Sequence, residues 1–495
     1  MLMKTASQSL TEQLCARFAE RIRSRLLAPG ARLPSVRLCA QQQGVSVSTV
    51  VAAYDQLLAQ GLVVASKNRG FFVREAPLNP ARAMPQREPA PEPPAASRPG
   101  NAGQVAPMAA WSTATWMATR HAPIDATALI RGMFHKVSPK PQPGMGVLPP
   151  EWMETTFMPA AVRKVTSVSA LREFSLQYGE PMGDSGLRRA LSQKLGALNV
   201  HAPPEQIITT VGATHALDIV SRTLLRPGDC VMVEEPGWAV EFARLDAMGM
   251  RILPVPRRAD GPDLEVMAQY CEVHQPKLFV SVSVLHNPTG YCLPPGSAHR
   301  VLQLANQHNF HIVEDDTYSH LAPEHATRLC ALDGLQRTIY VSGFAKILAP
   351  GWRVGFMAAP PDLVERLLDT KLLATLTTPA LLEKALAWCI DQGQLRRHAE
   401  RIRTRLDAAR ARSARLALAH GCTFAAEPAG LFGWVDTGVD TDALSQRMLD
   451  EGYLMAPGAL FHAVRTPSTL MRINFTTTQE ATFWKVFARM RDGMK

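Results

Sequence analysis

Ala76 to Pro107 is built of proline, alanine, arginine and glutamate, with almost no large apolar side chains. Such a stretch cannot bury enough surface to offset its ordering entropy, and its prolines keep it partly extended. It forces the chain to fold as two units joined by a tether. For 495 residues the length alone suggests about three domains. The expected division is a head over 8–75, a linker over 76–125 and a large unit over 126–495, with Trp111 and Trp116 marking the return of apolar residues. Charge divides the same way. Residues 1–75 hold ten Lys/Arg against four Asp/Glu, so the head carries +6 of the chain's net +10. That concentration suggests a polyanionic partner, or else an ordinary solvated surface.

Within the head, Leu14, Phe18, Ile22 and Leu26 recur at helical spacing, and Pro29-Gly30 ends that pattern. Ser35 is placed to cap a second helix, Gly44 to turn the chain, and Ser46 to cap a third that runs through Leu57. Two short helices around a glycine turn make a helix-turn-helix. Gly61–Val64 and Gly70–Val73 then read as a hairpin with Lys67-Asn68-Arg69 at its tip. Leu33-Pro34-Ser35-x-Arg37, Gly44-Val45-Ser46-x-Ser48-Thr49-Val50, Ala53-Tyr54-x-x-Leu57 and Gly70-x-Phe72-Val73 together resemble the GntR winged-helix domain. The resemblance implies that Arg37, Ser46, Ser48 and Thr49 approach phosphates and base edges of double-stranded DNA, and that Arg69 enters a groove. Val47 stands where that family commonly has a polar residue, and offers an apolar contact to a thymine methyl.

Beyond the linker, short apolar strands alternate with helical segments: 207–211, 230–235, 277–283, 310–316 and 338–341. Alternation of this kind implies a mostly parallel α/β sheet, whose ligands gather at the carboxyl ends of the strands. Gly212, Trp238, Asn287, Asp315, Tyr318 and Lys346 all follow predicted strand ends. After Pro360-Pro361 helices resume, including an arginine-rich one over 396–416 expected at the surface. Strands at 432–435 and 470–475 suggest a smaller domain. The large part is expected at about 180–360 and the small part at about 126–179 and 361–495.

Lys346 lies in an apolar segment without an acidic neighbour, seven residues before Arg353. A lysine in dry surroundings loses proton affinity, and a neutral amine can form a Schiff base with an aldehyde such as pyridoxal 5′-phosphate. The plainer alternative is a core strand whose lysine snorkels to solvent. The other residue types suit the same cofactor. A carboxylate, Asp315, keeps a pyridine nitrogen protonated. Asn287 and Tyr318 offer donors to a phenolic oxygen, and Trp238 offers a stacking plane. Ala213, Thr214 and Arg353 offer donors and charge to a phosphate.

Tyr178, Gly212-Ala213-Thr214, Asn287-Pro288-Thr289-Gly290, Asp315-x-x-Tyr318, Lys346 and Arg353, in that order, resemble the motifs of class I aminotransferases. The lysine segment resembles most the version in MocR-type regulators, a branch of the GntR superfamily. The resemblance implies a winged helix-turn-helix joined to the α/β PLP-dependent transferase fold, with a large mixed, mostly parallel sheet and a smaller α+β domain. It implies that Tyr178 reaches the phosphate across a homodimer and that Arg472 grips a ligand α-carboxylate; an exposed strand arginine is the alternative for Arg472. One departure stands out. The family has hydroxyl residues one and three positions before the lysine, where this chain has Ala345 and Gly343, leaving Ser342 as the nearby hydroxyl for the phosphate.

Two functions remain open. One is a regulator that senses an amino acid, an amine or a vitamin B6 compound through Lys346. The other is a working aminotransferase with an accessory DNA-binding head. The head itself favours regulation, since an enzyme has no need of it. No apolar run reaches the roughly 18 residues of a membrane helix, and the eight scattered cysteines form no CxxC pair. A cytoplasmic, reduced protein without a metal site is expected.

Overall fold

The computed structural model describes residues 9–23, 26–27, 30–66, 70–74, 124–134, 138–153, 155–323 and 325–494. The chain divides into two compact units, Met1–Pro123 and Ile124–Lys495. Arg69 and nearly all of the proline-rich linker lie outside the described residues.

In the first unit, α1 (Leu10–Arg23), α2 (Val36–Gln43) and α3 (Val47–Ala59) precede a hairpin of β1 (Val63–Ser66) and β2 (Gly70–Val73). The caps lie where expected. Ser35 Oγ accepts from Leu38 N at 3.3 Å, and Ser46 Oγ accepts from Thr49 N at 3.1 Å. Gly44 ends α2 at φ 65°, a left-handed conformation that glycine adopts without a Cβ penalty. Leu14, Phe18, Val50, Ala53, Tyr54 and Leu57 form the core. Tyr54 meets Phe18 and Phe71 edge-on and donates its hydroxyl to Pro34 O at 3.0 Å. The helix pair is thereby clamped to the wing from inside.

The second unit opens with α4 (Ala126–Phe134), α5 (Pro150–Met153), α6 (Phe157–Val165), α7 (Val168–Leu176) and α8 (Ser185–Gly196). Strand-helix alternation follows: β3 (Ile207–Thr210), α9 (Ala213–Leu224), β4 (Cys230–Glu235), α10 (Ala239–Ala247), β5 (Arg251–Arg258), β6 (Gly261–Pro262), α11 (Leu264–His274), β7 (Leu278–Ser281), α12 (Pro295–His308), β8 (His311–Asp315), α13 (Leu329–Asp333), β9 (Thr338–Gly343) and β10 (Gly355–Ala358). Their order in the sheet is β3-β10-β9-β8-β7-β4-β5-β6. β10 runs antiparallel to both neighbours, and β4, β5, β7, β8 and β9 pair in parallel. β3, β7 and β10 are buried at every residue, as strands covered on both faces must be. β5 contains Pro254 and Pro256 and lies beside the two-residue edge strand β6. Those prolines disguise it in the sequence, because proline lacks a ladder donor.

The chain continues through α14 (Pro361–Thr375), α15 (Ala380–Asp391) and α16 (Gln394–Ala419) into β11 (Thr423–Phe424), β12 (Phe432–Asp436), α17 (Thr441–Asp450), β13 (Ala456–Pro457), β14 (Leu470–Asn474) and α18 (Ala481–Asp492). An antiparallel sheet, β11-β12-β14-β13, carries a separate core that includes Leu444, Phe475, Phe483 and Trp484. Two details differ from expectation. Leu363 and Leu367 of α14, and Ala385 and Leu386 of α15, join the cores of the large sheet. An apolar repeat identifies a buried face without saying which core receives it. In α16 most of the arginines face solvent, yet Leu395, His398, Ile402, Leu406 and Ala409 are buried along one side.

Candidate functional site

The parallel strands end on one side of the sheet, so the loops that follow them converge. After β3, Gly212 takes φ 83° and begins α9 without a side-chain cap, leaving first-turn N–H groups open to an anion. Arg353, itself at φ 53°, donates from Nη2 to Val211 O at 3.1 Å. A Cβ on Gly212 would lie 2.5 Å from that Nη2, and a Cβ on Gly355 would lie 2.5 Å from Gly212 C. Ala213, Thr214 and Arg353 thus surround a glycine-lined cup, with Thr214 and Arg353 exposed.

Next to the cup, Trp238, Val282, His286 and Asp315 line one cavity. Asp315 accepts from Thr317 N at 3.0 Å and from Thr317 Oγ1. Burial raises its carboxyl to about 6, against the lowering effect of those bonds. A carboxylate desolvated this way is stabilised by a cationic N–H brought to it. Behind it, Glu234 accepts from Val282 N at 2.7 Å and pairs with Arg257 at 3.2 Å. Burial holds the His286 imidazole well below its usual range, hence neutral.

Lys346 is half-buried, and its Nζ donates to Gly146 O at 2.8 Å. Desolvation first, then the Arg472 charge, pull its amine down to about 8. Nζ also lies 5.7 Å from the ring centroid of Tyr318, which meets Phe432 edge-on. Arg472 is 3% exposed, which rules out the surface-arginine alternative. It donates from Nη1 to Asn287 Oδ1 at 2.9 Å and from Nη2 to Gly144 O at 2.5 Å. Its guanidinium packs 4.4 Å from the Phe432 centroid and 5.1 Å from Phe461. Burial lowers it to about 10, and its buried Nε has no hydrogen-bond partner. Among the described residues no carboxylate pairs with it. Its guanidinium therefore keeps unused hydrogen-bonding capacity inside the site.

Two candidates are not brought to this cluster. Ser342 is buried in β9, and its hydroxyl donates to Asp316 O at 2.9 Å. Its hydroxyl is engaged inside the sheet, which corrects its assignment to the phosphate. Tyr178 is 82% exposed on its own chain. Gly144 and Gly146 were not foreseen, because a loop that offers carbonyls carries no motif. The loop is held by Asn474 Nδ2, which donates to Met145 O at 2.9 Å and Val147 O at 2.7 Å.

In the head, Ser46 Oγ lies 2.8 Å from Ser48 Oγ and 2.7 Å from Thr49 Oγ1. Arg37, Ser46 and Ser48 are exposed, and so are Leu38, Val47 and Val51. The result is an exposed set of hydroxyl and apolar side chains at the start of α3, with a cation, Arg37, on the first turn of α2. It suits the phosphates and thymine methyls of a major groove.

Residues 151–484 match the family model for aminotransferase class I and II, and residues 10–73 match that for bacterial regulatory proteins of the gntR family. In structure the chain is similar to LysN, the α-aminoadipate aminotransferase of Thermus thermophilus complexed with N-(5′-phosphopyridoxyl)-L-leucine. That likeness has a TM-score of 0.67 at 25% identity, over 74% of this chain and 95% of that one. The chain belongs to the aminotransferase class I and II family, and the cofactor of this fold and site is pyridoxal 5′-phosphate. The full-length relatives narrow this further. The HTH-type transcriptional regulator YdcR of Escherichia coli is 26% identical over 473 residues, 94% of each chain. The probable rhizopine catabolism regulatory protein MocR of Rhizobium meliloti is 29% identical over 391 residues, 78% of this chain and 73% of that one. With a gntR-family head on an aminotransferase-like body, the protein is a PLP-dependent, DNA-binding transcriptional regulator of the MocR type.

Proposed function

We propose that the regulator senses a small primary amine, with an amino acid as the leading ligand class. One observation carries this reading: two cationic side chains share the cleft, one softened to about 8 and the other buried without a carboxylate. Lys346 Nζ suits an amine-exchange position and Arg472 suits a carboxylate, so together they fit the two ends of an α-amino acid. Pyridoxal phosphate, when bound, supplies an electrophilic aldehyde and an electron-withdrawing ring. Asp315 would hold the ring nitrogen's proton and Trp238 would offer a stacking plane. Asn287 and Tyr318 would offer donors to the phenolic oxygen, and Ala213, Thr214 and Arg353 would hold the phosphate. Arg37, Ser46, Ser48, Thr49 and Arg69 contact operator DNA.

Self-association fits the surface. Val168, Leu176, Tyr178, Leu373 and Leu376 are exposed, with Leu373 at 92%. Gly179 lies against Thr378, where an added Cβ would sit 3.4 Å from the carbonyl oxygen, so the Tyr178 segment packs beside the loop that follows α14. A homodimer covers this patch and brings Tyr178 to the partner's phosphate. A protein that works on DNA by these contacts acts in the cytoplasm.

A second reading, turnover as an aminotransferase, is favoured by Lys346 itself. An amine of about 8 can carry a proton between substrate atoms near neutral pH. Absorbance titration with a panel of amino acids and amines, with and without a 2-oxo acid, separates the two. A saturating shift without keto-acid product supports a sensor. Sustained product release establishes turnover, and the absence of any shift refutes the ligand class.

A further inference from the structure

A second cavity lies away from the cofactor cleft. It is lined by Trp152 of α5, by Thr155 and Thr156 just before α6, and by His398, Arg401, Ile402 and Arg405 from one face of α16. We propose that this cavity binds a small oxyanion, a phosphate or carboxylate group, between Arg401, Arg405 and the start of α6.

Four observations carry the proposal. Arg401 and Arg405 are one helical turn apart, where like charges repel by a few tenths of a kcal/mol unless an anion lies between them. Their acidic neighbours on α16 are engaged elsewhere: Glu400 pairs with Arg396 at 2.7 Å and Asp407 with Arg410 at 2.7 Å. The Arg405 guanidinium is fixed 4.4 Å from the Trp152 ring centroid, which leaves the N–H edges of that planar fork free to face a ligand. Thr155 Oγ1 is buried with no hydrogen-bond partner, and Thr156 at the head of α6 makes no side-chain cap. The open N-terminal turn of a helix adds partial positive charge to the same wall.

His398 orders the cavity. Its ring lies 2.7 Å from Ile347 O through Nε2 and 3.5 Å from Arg401 Nη2 through Nδ1. Burial lowers its proton affinity, so the neutral ring donates from Nε2 and accepts at Nδ1. Arg401 is thereby held at the cavity from the residue that follows Lys346.

The test is calorimetric titration of the cofactor-loaded full-length protein, whose phosphate cup is already filled, with inorganic phosphate and separately with succinate, every titration being made in an Arg472→Met background so that the cleft's own arginine takes no carboxylate. Binding of at least one of them is expected, and the stronger identifies the anion class. Arg401→Gln with Arg405→Gln weakens it by about tenfold or more, equal to about 1.4 kcal/mol. Thr155→Val, which leaves the charge unchanged, weakens it about threefold to tenfold. The cofactor's absorbance is unchanged in both variants. Equal affinity in the Arg472→Met parent and in the double variant made on it overturns the proposal, as does failure of that parent to bind either anion. Glu154 lies outside the described residues. Binding that appears only in Glu154→Gln would mean that this carboxylate already occupies the arginines, and would also overturn it.

Discussion

The cofactor cleft and the DNA face of the head use opposite physics. In the cleft, burial does the chemical work: it brings Lys346 to about 8, raises Asp315 to about 6 and lowers Arg472 to about 10. On the head, Arg37, Ser46, Ser48 and Val47 stay in water, and only their anchoring is buried, through Tyr54 and the core of α1–α3. Desolvation tunes reactivity toward one small molecule. Exposure on a rigid helix start presents many weak contacts to a polyanion. Damage to the cleft therefore abolishes a chemical property, whereas damage to the head erodes an affinity.

The largest effect tests the cleft. Lys346→Ala eliminates the near-visible absorbance of the lysine-bound cofactor while the DNA-binding head is untouched; persistence of that band sinks the assignment. Arg472→Met comes next. Affinity for amino acids falls by about 2–5 kcal/mol, because the carboxylate loses its buried partner, while simple amines bind almost as before. Equal losses for both ligand types contradict the carboxylate role.

On the head, Arg37→Ala with Thr49→Ala lowers specific DNA affinity by about 1–3 kcal/mol for each base-edge hydrogen bond removed, with the cofactor spectrum unchanged. A gel-shift series at fixed salt checks this, and undiminished specificity refutes it. The pH response is smaller. Lys346 has a depressed proton affinity, so its reactive neutral form grows as pH rises through about 8. Recombination of cofactor-free protein with pyridoxal phosphate accelerates as pH rises through that value and then levels. A rate that is flat across that window argues against a desolvated lysine. The smallest effect is expected from Ser342→Ala, which costs about 1 kcal/mol of stability through its lost bond to Asp316 O and leaves cofactor affinity nearly unchanged. A large loss of cofactor affinity would return Ser342 to the phosphate.

Much of this was legible from local chemistry. Ser35, Gly44 and Ser46 act within three residues of themselves, so their caps could be read directly. Gly212, Asn287, Asp315 and Lys346 could be placed because each lies at or after a strand end, and strand ends gather on one side of a parallel sheet. Other features depend on partners far away in the chain. Gly146 meets Lys346 across 200 residues and Gly144 meets Arg472 across 328. No periodicity reports such pairs. β5 stayed hidden because Pro254 and Pro256 are read locally as breakers, while its place beside a short edge strand tolerates them. Ser342 misled for a related reason. Its distance along the chain from Lys346 suggested the phosphate, but the pleat of β9 turns it to Asp316.

By itself, then, the amino-acid order determined the two-unit plan, the winged helix, the parallel sheet and the kinds of residue at its strand ends. These follow from composition, capping and periodicity, all of which act over a few residues. Only the tertiary structure decided which of those residues are dry. Desolvation depends on what packs from every direction. It separates Lys346 as a softened amine from a snorkelling lysine, and Arg472 as a buried, desolvated cation from one more exposed arginine on a strand.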